Sequence, residues 1–324
     1  MNASTKFGLG GLLCMCMAAL NSSMASDAWP QQPIKVVVAY PAGAMGDLVM
    51  RLLSDELGKQ LKQPVIIDNR AGAGGNIGAS AVAHAKPDGY TILVAATNNY
   101  SINQYVYKNM GFDVQEDLLP VSLLVNVPSV LFANSQLPAA SYAEFAQYAK
   151  QHPGKVNYGS PGAGTPPHLV GELLNQQAGL GMLHVPYKGS SFALTALLAN
   201  DVQVMLVGSG IGLPFVKTGK LKALAVGTDK RMVEIPEVPT FAEIGMKNLP
   251  ANNWWGAAVP KGTPQEIIQK LNQAFDKTLS KPDIRRKLTE LGAPPVGGAP
   301  EVMRNMVEQD NQFWQARLKT MKLD

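Results

Sequence analysis

The side chains able to do acid–base or covalent chemistry are few in this chain, and their spacing excludes most of what they could do. His84, His152, His168 and His184 are its only histidines. His168 and Glu172 lie four apart on an expected helix and so share a face. Such a pair could take part in a metal site, or serve as acid and base in a hydrolase or isomerase acting on a small carboxylate. A metal site wants a third protein ligand, and none is in view, so no metal is expected. Ser160 in Gly159-Ser160-Pro161-Gly162 and Ser209 in Gly208-Ser209-Gly210 lack the Gly-x-Ser-x-Gly elbow that presents a nucleophilic serine. The only cysteines, Cys14 and Cys16, fall in an N-terminal apolar run. Asp47, Asp68 and Asp88 read as helix caps or turn residues rather than as paired carboxylates.

Glycine-bearing turns carry more than the titratable residues do. Tyr40-Pro41-Ala42-Gly43-Ala44-Met45-Gly46-Asp47 joins the apolar run 34–40 to a segment with Leu48, Val49, Leu52, Leu53, Leu57 and Leu61 at helical spacing. Free N–H groups converge at such a strand-to-helix turn, and the helix dipole favours an anion there. The turn contains no Lys or Arg, so backbone amides would do most of the holding. Ser160-Pro161-Gly162-Ala163-Gly164-Thr165 repeats the arrangement between a strand and a helix through His168, Leu169 and Leu173. Two such turns facing each other across a cleft could grip a ligand with a carboxylate at each end; the plain alternative is that each is only a connecting loop. A third run, Gly72-Ala73-Gly74-Gly75-Asn76-Ile77-Gly78, is not a dinucleotide fingerprint. Position 77 is isoleucine where glycine is needed, and 90–97 contains no acidic residue to meet a ribose. Those glycines read as a tight loop with close helix-to-sheet packing. Trp254-Trp255 could line a cleft or pack in a hinge or core.

The elements that must position these turns alternate along the chain. Strands are expected at 34–40, 64–68, 90–96, 120–133, 155–160, 182–187, 202–208, 221–227 and 254–259, and helices at 47–62, 76–85, 141–151, 167–177, 190–200 and 212–218. That alternation is the pattern of an α/β protein with largely parallel sheets. Helices near 264–280, 282–291 and 299–321 complete the chain, with Pro264, Pro282 and Pro300 near their starts. The roughly 300 residues expected in the mature chain are more than one core comfortably holds, so two lobes are expected. No low-complexity tether occurs, which predicts joining by crossing strands near 125–128 and 250–253.

Lys6, the apolar stretch 7–20 and Ser23-Met24-Ala25 form a secretory signal peptide over 1–25, cleaved near Ala25. The apolar run is shorter than the roughly 18 residues of a membrane span. Neither cysteine is preceded by the small residue of a lipoprotein site, so export would leave a cysteine-free periplasmic chain. The net charge of +4 for the whole sequence is spread out. Its densest cluster, Lys281, Arg285, Arg286 and Lys287, has no interleaved aromatics, which speaks for a solvated helix face and against a nucleic-acid partner.

Taken in order, several short stretches resemble the Bug-type extracytoplasmic solute receptors of tripartite tricarboxylate transporters. They are Tyr40-Pro41-Ala42-Gly43 through Asp47, Asp68-Asn69-Arg70-Ala71-Gly72-Ala73-Gly74-Gly75, Pro87-Asp88-Gly89-Tyr90-Thr91, Tyr158-Gly159-Ser160-Pro161-Gly162, His184-Val185-Pro186-Tyr187-Lys188-Gly189, and Pro236-Glu237-Val238-Pro239-Thr240 with Glu243-Ile244-Gly245 and Trp255-Gly256. The resemblance implies an α/β, two-lobed periplasmic binding protein of type II, a Venus flytrap whose lobes are each a mixed sheet flanked by helices. Lobe 1 would comprise 26–126 plus 251–324, and lobe 2 127–250. It implies a noncatalytic, cofactor-free monomer that captures a small carboxylate, a dicarboxylate or aromatic acid first, and delivers it to the membrane subunits of such a transporter. A ligand-dependent partnership with a sensor ectodomain is the alternative.

The ligand residues implied in the first lobe are Tyr40, Ala42, Gly43, Ala44 and Asp47, with Asp47 as cap, and Thr97 and Asn98 after the third strand. In the second lobe they are Ser160, Gly162, Ala163, Gly164, Thr165, His168 behind the loop, Tyr187 beside Lys188, and Gln203. Two departures stand out. Ala44 replaces a usual glycine, and Gln203 replaces a usual aspartate, which argues against an amino-acid ligand.

Overall fold

Strand and helix alternate from Ile34 onward in the computed structural model, which describes residues 29–246, 249–319 and 321; the expected leader at 1–25, with both cysteines, lies outside them. In chain order the elements begin β1 (Ile34–Val38), α1 (Met45–Leu61), β2 (Val65–Asn69), α2 (Asn76–Ala83) and β3 (Thr91–Ala96). Three one-turn helices follow, α3 (Thr97–Ser101), α4 (Asn103–Val106) and α5 (Val114–Asp117), then β4 (Leu118–Asn134). Next come α6 (Tyr142–Gln151), β5 (Asn157–Ser160), α7 (Pro166–Ala178), β6 (Leu183–Pro186), α8 (Ser190–Ala199), β7 (Val204–Gly208), α9 (Ser209–Lys217) and β8 (Leu221–Val226). The described chain closes with β9 (Asn252–Pro260), α10 (Gln265–Leu279), α11 (Pro282–Glu290) and α12 (Pro300–Leu318). Every expected strand is present, with ends displaced by at most two residues.

The sheet runs β2-β1-β3-β9-β4-β7-β5-β6, with β8 also paired to β4. Its pairing corrects the expectation of largely parallel sheets. β1 pairs with β2 and β3, and β5 with β6 and β7, in parallel, as helical crossovers require. β4 and β9, by contrast, are antiparallel to all their neighbours. β4 pairs with β9 from Leu118 to Pro128, then with β7 and β8 from Ser129 onward. One strand thus belongs to both halves of the sheet. Pro128 marks the exchange, where a missing N–H does least harm to the ladder.

Each half buries both faces under helices. On the first half, α1 packs Val49, Met50, Leu53 and Leu57 against Val36, Val38 and the α10 residues Leu271 and Phe275. The opposite face holds Val37, Leu93, Trp254 and, from α2 and α12, Val82 and Met303. On the second half, α6 and α7 supply Phe145, Leu169 and Leu173 over Leu131 and Leu206, while Ala193 and Leu197 of α8 cover the other face with Val130 and Met205. Trp314 and Met321, at the end of the chain, are buried in this second set with Ile102 of the α3–α4 segment. Both halves are therefore mixed sheets sandwiched by helices.

Candidate functional site

The turn after β1 is held from within. Asp47, the third residue of α1, turns its Oδ2 back to accept the Gly43 N–H at 2.8 Å and the Arg51 Nε–H at 2.9 Å. Burial alone would raise the Asp47 carboxyl; bonds from Arg51, Gly43 and Asn69 outweigh it and hold it below the ordinary carboxylate range. Asp47 thus does what a capping side chain does, from inside the helix. The Ala44 N–H is likewise committed, to the Pro41 carbonyl at 3.1 Å. Among the described residues, the N–H groups left without a protein acceptor at this turn are those of Ala42 and of Met45, Gly46 and Asp47 in the first turn of α1, which no helix carbonyl precedes. Ala44 itself sits at φ −71°, ψ 161°, an extended conformation open to any residue, so the replaced family glycine costs no strain.

Tyr40 anchors the same turn to the glycine run that resembled a nucleotide loop. Its hydroxyl donates to Asn98 Oδ1 at 2.8 Å, with Asn99 Oδ1 at 3.1 Å and the Gly74 carbonyl at 3.2 Å as neighbours. The Gly74 carbonyl also meets the side-chain amides of Asn98, Asn99 and Asn103, at 2.9, 3.0 and 3.1 Å. Asn103 reaches on to Asn76 Oδ1 at 2.6 Å. Glycine is favoured at 74 by its φ of 62° and by the Tyr107 hydroxyl, which lies 2.6 Å from where a β-carbon would stand. The glycines of 72–75 serve close approach of backbone to an asparagine cluster, not to phosphate. Asn76, Asn99 and Asn103 were not singled out in the sequence. An Asn-rich stretch straight after a strand end was the available signal.

The second turn is braced differently. Ser160, wholly buried at the end of β5, has its Oγ 2.6 Å from His184 Nε2 and takes the Gly162 N–H at 3.2 Å. The Gly162 carbonyl accepts the Thr165 hydroxyl at 2.7 Å. His168 Nδ1 accepts the Gly164 N–H at 2.9 Å, which leaves the proton of the neutral ring on Nε2. The His168 and His184 rings stack 3.8 Å apart, and Tyr158 stacks on His184 from 4.8 Å. Burial pushes both imidazoles down to about 4, His168 also feeling His184. The Tyr158 hydroxyl donates to Glu172. α7 opens on Pro166 and Pro167, which have no N–H, so its start offers fewer donors than that of α1. Ala163, exposed at the tip, has no protein acceptor for its N–H among the described residues.

Both turns are tied to the 97–107 segment. A β-carbon on Gly164 would touch Val106 at 3.0 Å, one residue before the Tyr107 hydroxyl that packs on Gly74. Tyr40 is thus tied to this segment through Asn98 and the Gly74 carbonyl, and the 160–165 turn meets it at Val106. Tyr187 follows β6, its N–H on the Ser160 carbonyl at 3.0 Å and its ring against Gly159; the neighbouring Lys188 is exposed. Ala42 is exposed at the tip of the first turn. Two expected residues are placed otherwise. Thr97 is buried and turns its hydroxyl to Asp310 at 2.9 Å. Gln203 bridges the Asn157 N–H and the Asn200 carbonyl, both at 2.9 Å, at the opposite end of β5 from Ser160.

As for chemistry, His168 and Glu172 spend their facing atoms on Gly164 and Tyr158, and among the described residues no three His, Cys, Asp or Glu side chains come together as a metal site. No helix among the described residues is long and apolar enough to cross a membrane.

Comparison with known proteins gives a consistent picture. Residues 49–323 match the model of the tripartite tricarboxylate transporter family receptor. BugT of Bordetella pertussis is 32% identical over 97% of this chain and 96% of its own. A protein of R. palustris solved with adipate superposes with a TM-score of 0.82 at 34% identity, over 90% of this chain and 98% of that one. MatC from Rhodopseudomonas palustris, solved with bound malate, gives 0.79 at 33% identity, over 90% and 100%.

Proposed function

We propose that this chain, which belongs to the Bug-type receptors of the tripartite tricarboxylate transporter family, captures a small dicarboxylate between its 40–47 and 160–165 turns and hands it to a membrane transporter. The family is one of periplasmic solute-binding receptors, and the two-lobed fold is theirs. In this reading the leader ends near Ala25, the lobes are 26–126 with 251–324 and 127–250, and the mature chain works in the periplasm.

The observation that carries the proposal is that two strand-to-helix turns converge on the 97–107 segment, the first through Tyr40 on Asn98 and the Gly74 carbonyl, the second through Gly164 on Val106. One ligand carboxylate would meet the N–H groups of Met45 and Gly46, close to Tyr40 and Asn98. The other would meet Ala163 with Thr165 and Tyr187 beside it. Adipate and malate, found in two relatives, are both dicarboxylates with oxygens at each end, the shape this spacing suits. Closure follows because the ligand touches both turns only when they are near, so its affinity is higher for the closed form and shifts the population toward it. The closed form is then what the membrane subunits recognise.

A thermal-shift screen of dicarboxylates and aromatic acids, followed by calorimetry, tests this. Ligand at about a hundred times its dissociation constant should add about 2.7 kcal/mol to stability, with no turnover of the acid. A full panel without a shift, or consumption of the acid, would sink the proposal.

A further inference from the structure

We infer that Asp310 is a positioning residue for the cleft: from α12 it fixes the rotation of α3, and so presents Asn98 and Asn99 to Tyr40 and Gly74. The inference rests on the reading of Asn98 as part of the ligand site.

α3 is a single turn, too short to hold its own conformation. Its first residue is tied to a carboxylate of α12. Asp310 Oδ2 accepts the Thr97 hydroxyl at 2.9 Å, while the Ser101 hydroxyl one turn on donates to the Thr97 carbonyl at 2.9 Å. Residues 97 and 101 stand one above the other on a helix, so the Thr97 bond sets the face of α3 that meets α12. Asn98 and Asn99 are thereby directed away from α12, which is where their bonds to Tyr40 and the Gly74 carbonyl are found. A second donor ties this contact to the sheet: the indole N–H of Trp254, in β9, reaches the same Oδ2 at 2.7 Å.

The place of Asp310 along α12 adds to its reach. Before it, Met303, Met306 and Val307 pack on the first half of the sheet. After it, Phe313 and Trp314 pack with the second. A shift of the second core along α12 is therefore passed, at Asp310, to the helix that carries the cleft asparagines.

The test uses Asp310→Ala, Asp310→Asn and Thr97→Val in the mature protein. Amide exchange without ligand should quicken at least tenfold across 97–103 in Asp310→Ala, with α1 and α7 unchanged, and return to within threefold of wild type in Asp310→Asn, which keeps an acceptor oxygen. Thr97→Val should reproduce much of the effect, and adding Asp310→Ala to it should bring less than the sum. The dissociation constant for adipate or malate should rise about tenfold in Asp310→Ala and under threefold in Asp310→Asn. Unchanged exchange at 97–103, or loss spread evenly over the molecule, overturns the inference. Should Asp310→Ala not fold, Thr97→Val decides through the same exchange window. Failure of the wild type to bind either acid counts against the proposed ligand class instead, and exchange alone then judges the Asp310 contact.

Discussion

The ring of Trp255 occupies the space that a side chain on Gly46 would need, 2.3 Å from where its β-carbon would sit. The indole also meets Tyr40 edge-on, with centroids 5.0 Å apart. The first turn of α1 therefore lies directly on β9, and its N–H groups are fixed against the sheet.

Gly46→Ala should be more harmful than a helix-interior alanine usually is. Alanine is the better helix former by ~1 kcal/mol, yet overpacking a closed contact costs about 1–3 kcal/mol. We expect net destabilisation in urea melts, a shifted Trp emission, and at least a tenfold weaker grip on whichever dicarboxylate binds. A more stable variant with unchanged binding would show that Trp255 yields freely and that the turn is not set by it.

Asp47→Ala removes the tie to Gly43 and the pair with Arg51. Hydrogen bonds to a charged group are each worth about 1.5–3 kcal/mol, less where the partner is as exposed as Arg51. The folded-state pKa is lowered, so this contribution is complete above the ordinary value of 3.8 and is lost as pH falls through the folded one. The stability gap between wild type and variant should accordingly be full at pH 6 and close in strong acid. A gap that stays constant down to pH 2 would place the effect in packing rather than in the charge.

The stacked histidines give the opposite kind of titration to a salt bridge. Their pKa values fall from 6.5 to about 4 on folding, so above pH 6.5 both states are neutral and nothing is lost. As pH drops from 6.5 toward 4 the unfolded chain takes up protons that the folded one refuses, and stability declines. At 1.36 kcal/mol per unit, one ring accounts for about 3 kcal/mol by pH 4. Protonation of His168 at Nδ1 would also break its acceptance of the Gly164 N–H, so binding should weaken over the same range. His184→Gln should flatten the profile of stability between pH 7 and 4.5 by about half; an unaltered slope would assign the acid sensitivity elsewhere.

How much of this was written in the sequence depends on length scale. Strands such as 34–38 and helices such as α1 were legible because burial imposes a period on them. α3, α4 and α5 were not, since one turn of helix is too short to show a period, and Asn99 and Asn103 went with them; Asn98 was reached only through the family resemblance. The two glycine turns were legible as turns, but not which of their amides are already spent. Pro166 and Pro167 show in the sequence that α7 has few donors at its start; that Asp47 consumes the Gly43 N–H needed coordinates. Partners far apart in the chain, such as Thr97 with Asp310 or Ser160 with His184, leave no local mark at all.

Gln203 offers the sharpest contrast between resemblance and coordinates. Its motif position put it among the ligand residues, whereas its amide ties Asn157 to Asn200. Asn157 precedes Ser160 by three residues along β5, about 10 Å at the rise of a strand. A side chain at that end of the sheet cannot reach a ligand held by the turns beyond Ser160. Gln203→Ala should thus lose two neutral hydrogen bonds, worth about 1–3 kcal/mol together, seen as a lower urea midpoint. The dissociation constant for a bound dicarboxylate should stay within threefold of wild type. An affinity loss of tenfold or more, at a temperature where the variant is fully folded, would return Gln203 to the site and show that β5 and β7 rearrange when the turns close.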